Sequence, residues 1–226
     1  MRDKVLDIPE LRDKKFVFKN RLHAGSLISD KLPTLDNRKV ELLAIPSGGV
    51  PVGYSVAKKL DVPLDVIIVR KIQIPWDTEA GFGALAWDGT MVLNEELISM
   101  LSLSKQIVKR CISRTQQSVL ERMRKFRGEE PMPKLEDKEV ILVDDGLASG
   151  FTMATAIQAV RKRKPSKILV AVPTASKIAA EFIVPSVEWL LCLNVRSEPA
   201  FAVADAYEEW CDITDEETMY FLNRVC

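Results

Sequence analysis

The sequence is poor in the residues that relay protons and hold metals. Among 226 residues there is one histidine, His23. A Ser-His-Asp or Cys-His relay, which needs a positioned imidazole, is therefore not expected, and His23 reads as a solvated or helix-face residue. The four cysteines, Cys111, Cys192, Cys211 and Cys226, are widely spaced and form no C-x-x-C pair. They do not outline a zinc site, and they read as free thiols in a reducing cytoplasm. Charge of one sign is also lacking, since 32 Lys+Arg balance 32 Asp+Glu. Nucleic acids and anionic membranes select a basic face, so neither is an expected partner. No apolar run is long enough to span a bilayer, and the charged start "MRDKVLDIPELRDKKF" has no secretory-signal pattern. There is no Walker A sequence and no G-x-S-x-G elbow, which disfavours a nucleotide-binding hydrolase.

What is present suits one domain with a small appendage: 47% hydrophobic and 28% charged residues. Five apolar runs read as strands, at 40–45, 64–69, 140–143, 167–172 and 187–195. Most are continuous rather than alternating, as in parallel strands covered on both faces. Helical patterns lie between them. Val52, Val56, Ala57 and Leu60 share a face, and Asp61-Val62-Pro63 ends that helix. A long helix follows Ser104, its expected N-cap. A third runs from Phe151 until Pro165 stops it. The alternation predicts an α/β doubly wound fold, with a mostly parallel five-stranded sheet and helices on both faces. Residues 37–195 form the core. Residues 71–95, rich in Gly, Pro and Trp, read as a long loop with short strands. Segments 1–36 and 196–226 read as a cap. "RKRK" at 161–164 reads as a solvated helix end.

Ligands of such sheets bind beyond the carboxyl ends of the strands, and three strand ends stand out. "VILVDDGLASGFT" runs from a buried strand into Asp144 and Asp145, then a small loop, then a helix. Backbone N–H groups and the helix dipole make that turn an anion cradle. The carboxylates would accept hydrogen bonds from a diol. The plainer reading is a strand end that caps the next helix. "IPSGGVPVG" turns at Ser47, Gly48 and Gly49, a second N–H nest or a plain Gly-Gly turn. "VRK" places Arg70 and Lys71 at a strand end, for polyphosphate or for solvent. "GFGALA" at 81–86 neither follows a clear strand nor opens a clear helix, so it is not read as a dinucleotide fingerprint.

The motif "VILVDDGLASGFT", with "IPSGG" and "VRK" upstream, resembles the type I phosphoribosyltransferases over about residues 40–195. The order of "IPSGGVPVGYSVAKKL", "LDVIIVRK", "DGTMVLNEEL" and "ERMRKFRGEEP" is similar to a poorly characterised subgroup of that family. The resemblance implies transfer of a 5-phosphoribosyl group from 5-phosphoribosyl-1-pyrophosphate (PRPP) to a nitrogenous base, in a homodimer. Asp144 and Asp145 would hold the ribose hydroxyls. Gly146, Leu147, Ala148, Ser149, Gly150, Phe151 and Thr152 would wrap the 5′-phosphate. Ser47, Gly48, Gly49, Arg70 and Lys71 would face pyrophosphate, with Pro46–Ser47 cis. Magnesium would arrive on PRPP near the two aspartates rather than on protein ligands. Residues 72–93 would be the mobile loop, in which Trp76 and Trp87 stack or pack. The chain ends would form the hood, with Phe201, Val203, Tyr207 and Trp210 as base contacts or as its core. Two departures are visible. Ser47 stands where relatives often carry Arg. Ala148 stands where 6-oxopurine enzymes carry Asp, which points to adenine-like, orotate-like or other acceptors. The alternative is a PRPP-binding regulator without catalysis.

Overall fold

The computed structural model describes residues 4–225. In chain order the strands are β1 (Val5–Leu6), β2 (Val40–Ala44), β3 (Leu64–Val66), β4 (Val69–Ile74), β5 (Asp77–Ala86), β6 (Met91–Leu93), β7 (Glu139–Val143), β8 (Lys167–Ser176) and β9 (Trp189–Arg196). The helices are α1 (Arg21–Lys31), α2 (Gly49–Leu60), α3 (Glu95–Met100), α4 (Lys105–Arg127), α5 (Phe151–Arg161), α6 (Lys177–Ile183) and α7 (Asp215–Leu222). The central sheet has the order β1-β9-β8-β7-β2-β3, and every pairing in it is parallel.

The α/β class holds, but the sheet has six strands rather than five. The added one, β1, pairs Val5 with Leu190 at the edge. Two residues make too short an apolar run to be read from sequence.

Both faces of the sheet are buried, which is why the strands are apolar throughout. Leu42, Ala44, Ile141, Val143, Leu169, Ala171, Leu191 and Leu193 share one core with Ala24 and Ile28 of α1 and Val52 and Val56 of α2. Leu43, Ile45, Val140, Leu142, Ile168, Val170, Leu190 and Cys192 share the other with Met153, Ala156 and Val160 of α5 and Ala179 and Ile183 of α6. Successive residues alternate between the two, as the pleat requires.

The run 64–69 does not stay one strand. β3 ends at Val66, and the chain enters a separate antiparallel sheet, β4-β5-β6, at Val69. Ile67 and Ile68, both fully buried, belong to different cores, so hydropathy carries no mark of the break. Most of 71–95 is therefore strand rather than loop. Gly81 reads as loop composition, yet it lies within β5. A Cβ there would stand 2.4 Å from Cγ of Lys71 on the paired strand, so close cross-strand approach requires the glycine. Trp76 is exposed, whereas Trp87 packs against both cores.

The remaining helices follow their sequence signals. α2 ends at Asp61, which is left-handed at φ 54°. Ser104 Oγ accepts from the Ile107 N–H at 3.3 Å and starts α4. At the other end of α4 the buried Arg127 pairs with Asp65 and donates to the Pro131 carbonyl, pinning the helix to β3. Residues 161–164 are exposed, and Arg161 pairs with Glu188. His23 lies on the exposed face of α1, where Nδ1 accepts from the Lys19 N–H. The chain ends meet each other: Phe18 bridges Tyr207, and α7 packs on α2. Residues 1–36 do more than cap, since β1 extends the sheet and α1 carries core residues. No helix of the described residues is long and apolar enough to cross a membrane.

Candidate active site

Strands β2 and β7 pair in parallel with Ala44 opposite Val143, so the turns that follow them are neighbours. This sets Asp144 and Asp145 directly against Gly48 and Gly49. A Cβ on Gly48 would lie 1.9 Å from Asp145 Oδ2, and one on Gly49 would lie 2.9 Å from Asp144 Cα. The Gly-Gly turn is thus needed for the acidic pair to fit at all. The Pro46–Ser47 peptide is cis, as the resemblance implies.

The pair is not left to repel itself. Arg21 of α1 donates from Nε to Asp145 Oδ2 at 2.9 Å and from Nη1 to the Cys211 carbonyl at 2.8 Å. Its guanidinium carbon lies 3.8 Å from the centroid of the Trp210 ring, a cation–π contact. The Tyr207 hydroxyl donates to the Asp145 carbonyl at 2.6 Å, and the Asp145 N–H donates to Asp144 Oδ1 at 2.9 Å. Burial pushes the Asp144 carboxyl well above its usual range, and the charge of Asp145 pushes it further. Burial also raises Asp145, against the pull of Arg21. Both sites therefore favour a proton, a hydroxyl or a cation beside them.

The loop after Asp145 lines a pocket of about 490 Å³ together with Lys71, Ala80, Gly81, Gly83 and Val203. Among the described residues, the N–H groups of Ala148, Ser149, Gly150, Phe151 and Thr152 have no acceptor within the protein. Phe151 and Thr152 open α5, so these amides lie at a helix N-terminus, where an anion is favoured. Leu147 differs. Its N–H donates to the Thr174 carbonyl at 3.0 Å and its side chain is buried, so it anchors the loop to β8 and leaves no amide for a ligand. A cleft of about 680 Å³ elsewhere is larger, but neither the acidic pair nor the 146–152 loop lines it.

Arg70 and Lys71 do not sit at a strand end, because β3 stops earlier and they lie within β4. Lys71 reaches the 490 Å³ pocket, and both line a smaller one of about 210 Å³ beside Arg114. Burial and then repulsion by Arg122 lower the pKa of Arg70. Arg122, from α4, donates to Ser47 Oγ at 3.1 Å.

Of the four base candidates only Val203 lines the pocket, resting against Gly146. Tyr207 is buried and Trp210 stacks on Arg21, so both support the acidic pair. Phe201 lies 5.9 Å from the guanidinium of Arg196, whose Nε and Nη1 are buried without partners among the described residues. Arg21 and Arg122 escape a reading of the sequence. Each sits on a helix far along the chain from the loop it serves, and although Arg122 falls within "ERMRKFRGEEP", nothing in that run marks it as a partner of Ser47.

The family model of the phosphoribosyl transferase domain matches residues 88–189. Two Mycobacterium tuberculosis proteins, named "Putative phosphoribosyl transferase MT0597" and "Putative phosphoribosyl transferase Rv0571c", are 36% identical over 213 residues. The match covers 92% of this chain and 47% of each relative, so the chain spans about half their length. The crystal structure of TT1426 from Thermus thermophilus superimposes with a TM-score of 0.70 at 32% identity, covering 91% of this chain and 97% of that one. With the acidic pair, the loop amides and the parallel sheet in place, the chain carries a domain of the phosphoribosyl transferase family over residues 88–189.

Proposed function

We propose that this chain transfers the 5-phosphoribosyl group from PRPP to a nitrogenous base and releases pyrophosphate. The observation that carries the reading is one pocket that joins the acidic pair, the unpartnered amides of 148–152 and Lys71. The amides and the dipole of α5 would take the 5′-phosphate. Asp144 and Asp145 would accept hydrogen bonds from the ribose hydroxyls. Ser47 to Gly49, with Arg70 and Lys71, would receive the pyrophosphate. Displacement at ribose C1 develops positive charge on the ring and negative charge on the leaving group. The protein's task is then to orient both ends of PRPP and to exclude water. No side chain is assigned as general base.

The donor set fits magnesium carried in by substrate. The pocket offers two carboxylates, Asp144 and Asp145, beside which a substrate-borne cation would lie. When bound, the ion would neutralise charge on the leaving pyrophosphate. The proposal includes a cytoplasmic location, in keeping with free Cys111, Cys192 and Cys211. From the family resemblance it also includes a homodimer.

The alternative is PRPP binding without turnover, since the same fold can bind the ligand without catalysis. One assay separates the two: PRPP, magnesium and a panel of bases, following pyrophosphate release. Transfer requires release with at least one base and its loss in Asp145→Ala. Binding of PRPP with no release from any base supports the regulator.

A further inference from the structure

Ser47 brings no charge to its turn, yet cations converge on it from two other elements. Arg122 of α4 donates to Ser47 Oγ at 3.1 Å, with its side chain 22% exposed. Arg70 of β4 is close enough for the two guanidinium charges to repel. Among the described residues the Arg70 side chain has neither a hydrogen bond nor an ion pair. The nearby acid is Asp215 at the start of α7. It lies 3.8 Å from Arg122, but Lys125 holds it more closely at 2.5 Å. Arg70, Arg122 and Lys125 thus share one carboxylate. A cluster with surplus positive charge, one guanidinium of which already touches Ser47, suits an anion. Guanidinium groups also suit phosphate oxygens in geometry, through paired N–H donors.

We propose that Arg122 is a pyrophosphate-binding residue, reaching in from α4 to supply the charge that Ser47 lacks. This rests on the reading that the Ser47–Gly49 turn receives pyrophosphate. Nη1 now donates to a neutral hydroxyl, and a bound diphosphate oxygen would take that donor while Arg70 faces the same anion. Repulsion between the two guanidiniums would fall on binding. The role differs from that of the amide cradle at 148–152, which takes the opposite end of the substrate. Removing Arg122 should therefore separate the two ends in their response.

The test is calorimetric titration with magnesium pyrophosphate and, separately, with ribose 5-phosphate. Arg122→Ala should weaken pyrophosphate by about tenfold or more, the scale of a lost charge-assisted contact, and leave ribose 5-phosphate within about twofold. Arg122→Lys should fall between the two, since it keeps charge but loses the paired donors. Asp215→Asn distinguishes binding from packing, because it removes the tie to α7 and keeps the contact with Ser47. Unchanged pyrophosphate binding in Arg122→Ala would overturn the proposal. So would an equal loss in Asp215→Asn, or equal losses for both ligands in Arg122→Ala. A wild-type protein that takes no pyrophosphate would overturn it as well. If pyrophosphate binds through Arg122 but no base ever yields a product, the transferase reading fails and the assignment of Arg122 stands.

Discussion

Arg21 and Asp145 lie 124 positions apart in the chain and meet with Nε 2.9 Å from Oδ2. Their side chains are 7% and 16% exposed, so the pair is shielded from bulk water. Truncating one partner would leave the other charge buried. Arg21→Ala should destabilise the fold by about 3 kcal/mol, and Arg21→Lys by less, since it keeps the charge but loses the link to the Cys211 carbonyl. Thermal denaturation checks this. A melting temperature equal to wild type in Arg21→Ala would show that the pair contributes nothing.

The acidic pair should make the unliganded protein sensitive to pH in a definite direction. Both carboxyls have folded pKa values above their unfolded ones, Asp144 the more strongly. Such a group stabilises the fold while it is protonated, and that contribution is lost as pH rises through the folded pKa. Asp144→Asn removes the buried charge. At pH about 7 it should be more stable than wild type, by about 1 kcal/mol. The gap should close toward pH about 4, where an unperturbed carboxyl begins to protonate. PRPP binding should be lost at the same time. Urea denaturation of both proteins across that range measures the gap, and a difference that is constant with pH would count against the assignment.

Gly48→Ala isolates sterics from backbone preference. Gly48 has φ −62° and ψ −33°, a conformation in which alanine is at ease. Propensity alone would predict a slightly more stable protein. The added methyl, however, would meet Asp145 Oδ2 at 1.9 Å and Cγ at 2.5 Å. A loss of about 2 kcal/mol is expected, with weaker PRPP binding as the carboxylate is pushed aside. Chemical denaturation and a PRPP titration check both halves.

Thiol labelling should sort the cysteines by burial. Cys192 is fully buried, and burial pushes its thiol up to about 12. Cys211 is exposed. A thiolate-specific reagent at neutral pH should label Cys211 in the native protein, and Cys192 only after unfolding. Rapid native labelling of Cys192, read by peptide mass, would contradict the packing of β9.

The layers of the fold were legible because burial on both faces leaves a plain mark. Leu42, Ile141 and Leu169 belong to one core and their neighbours Leu43, Leu142 and Val170 to the other, so hydropathy runs unbroken along each strand. The same property hid the exit of the chain at Ile67 and Ile68, where an apolar run passes between sheets without a polar residue. Gly81 misled for a related reason. Glycine serves loops and tight cross-strand contacts alike, and its neighbour Lys71 is visible only once β4 and β5 are paired.

The sequence by itself determined the class of fold, the acidic pair and the two turns that flank it. Each is a contiguous run whose chemistry acts within a few residues of backbone. Tertiary structure alone decided what neutralises and completes them. It brought Arg21 to Asp145, Arg122 to Ser47 and the Tyr207 hydroxyl to the Asp145 carbonyl. It also turned Trp210 from a candidate base contact into the ring beneath Arg21. Charge compensation acts over a few ångströms of space rather than along the chain, so the partners of a local motif leave no local trace.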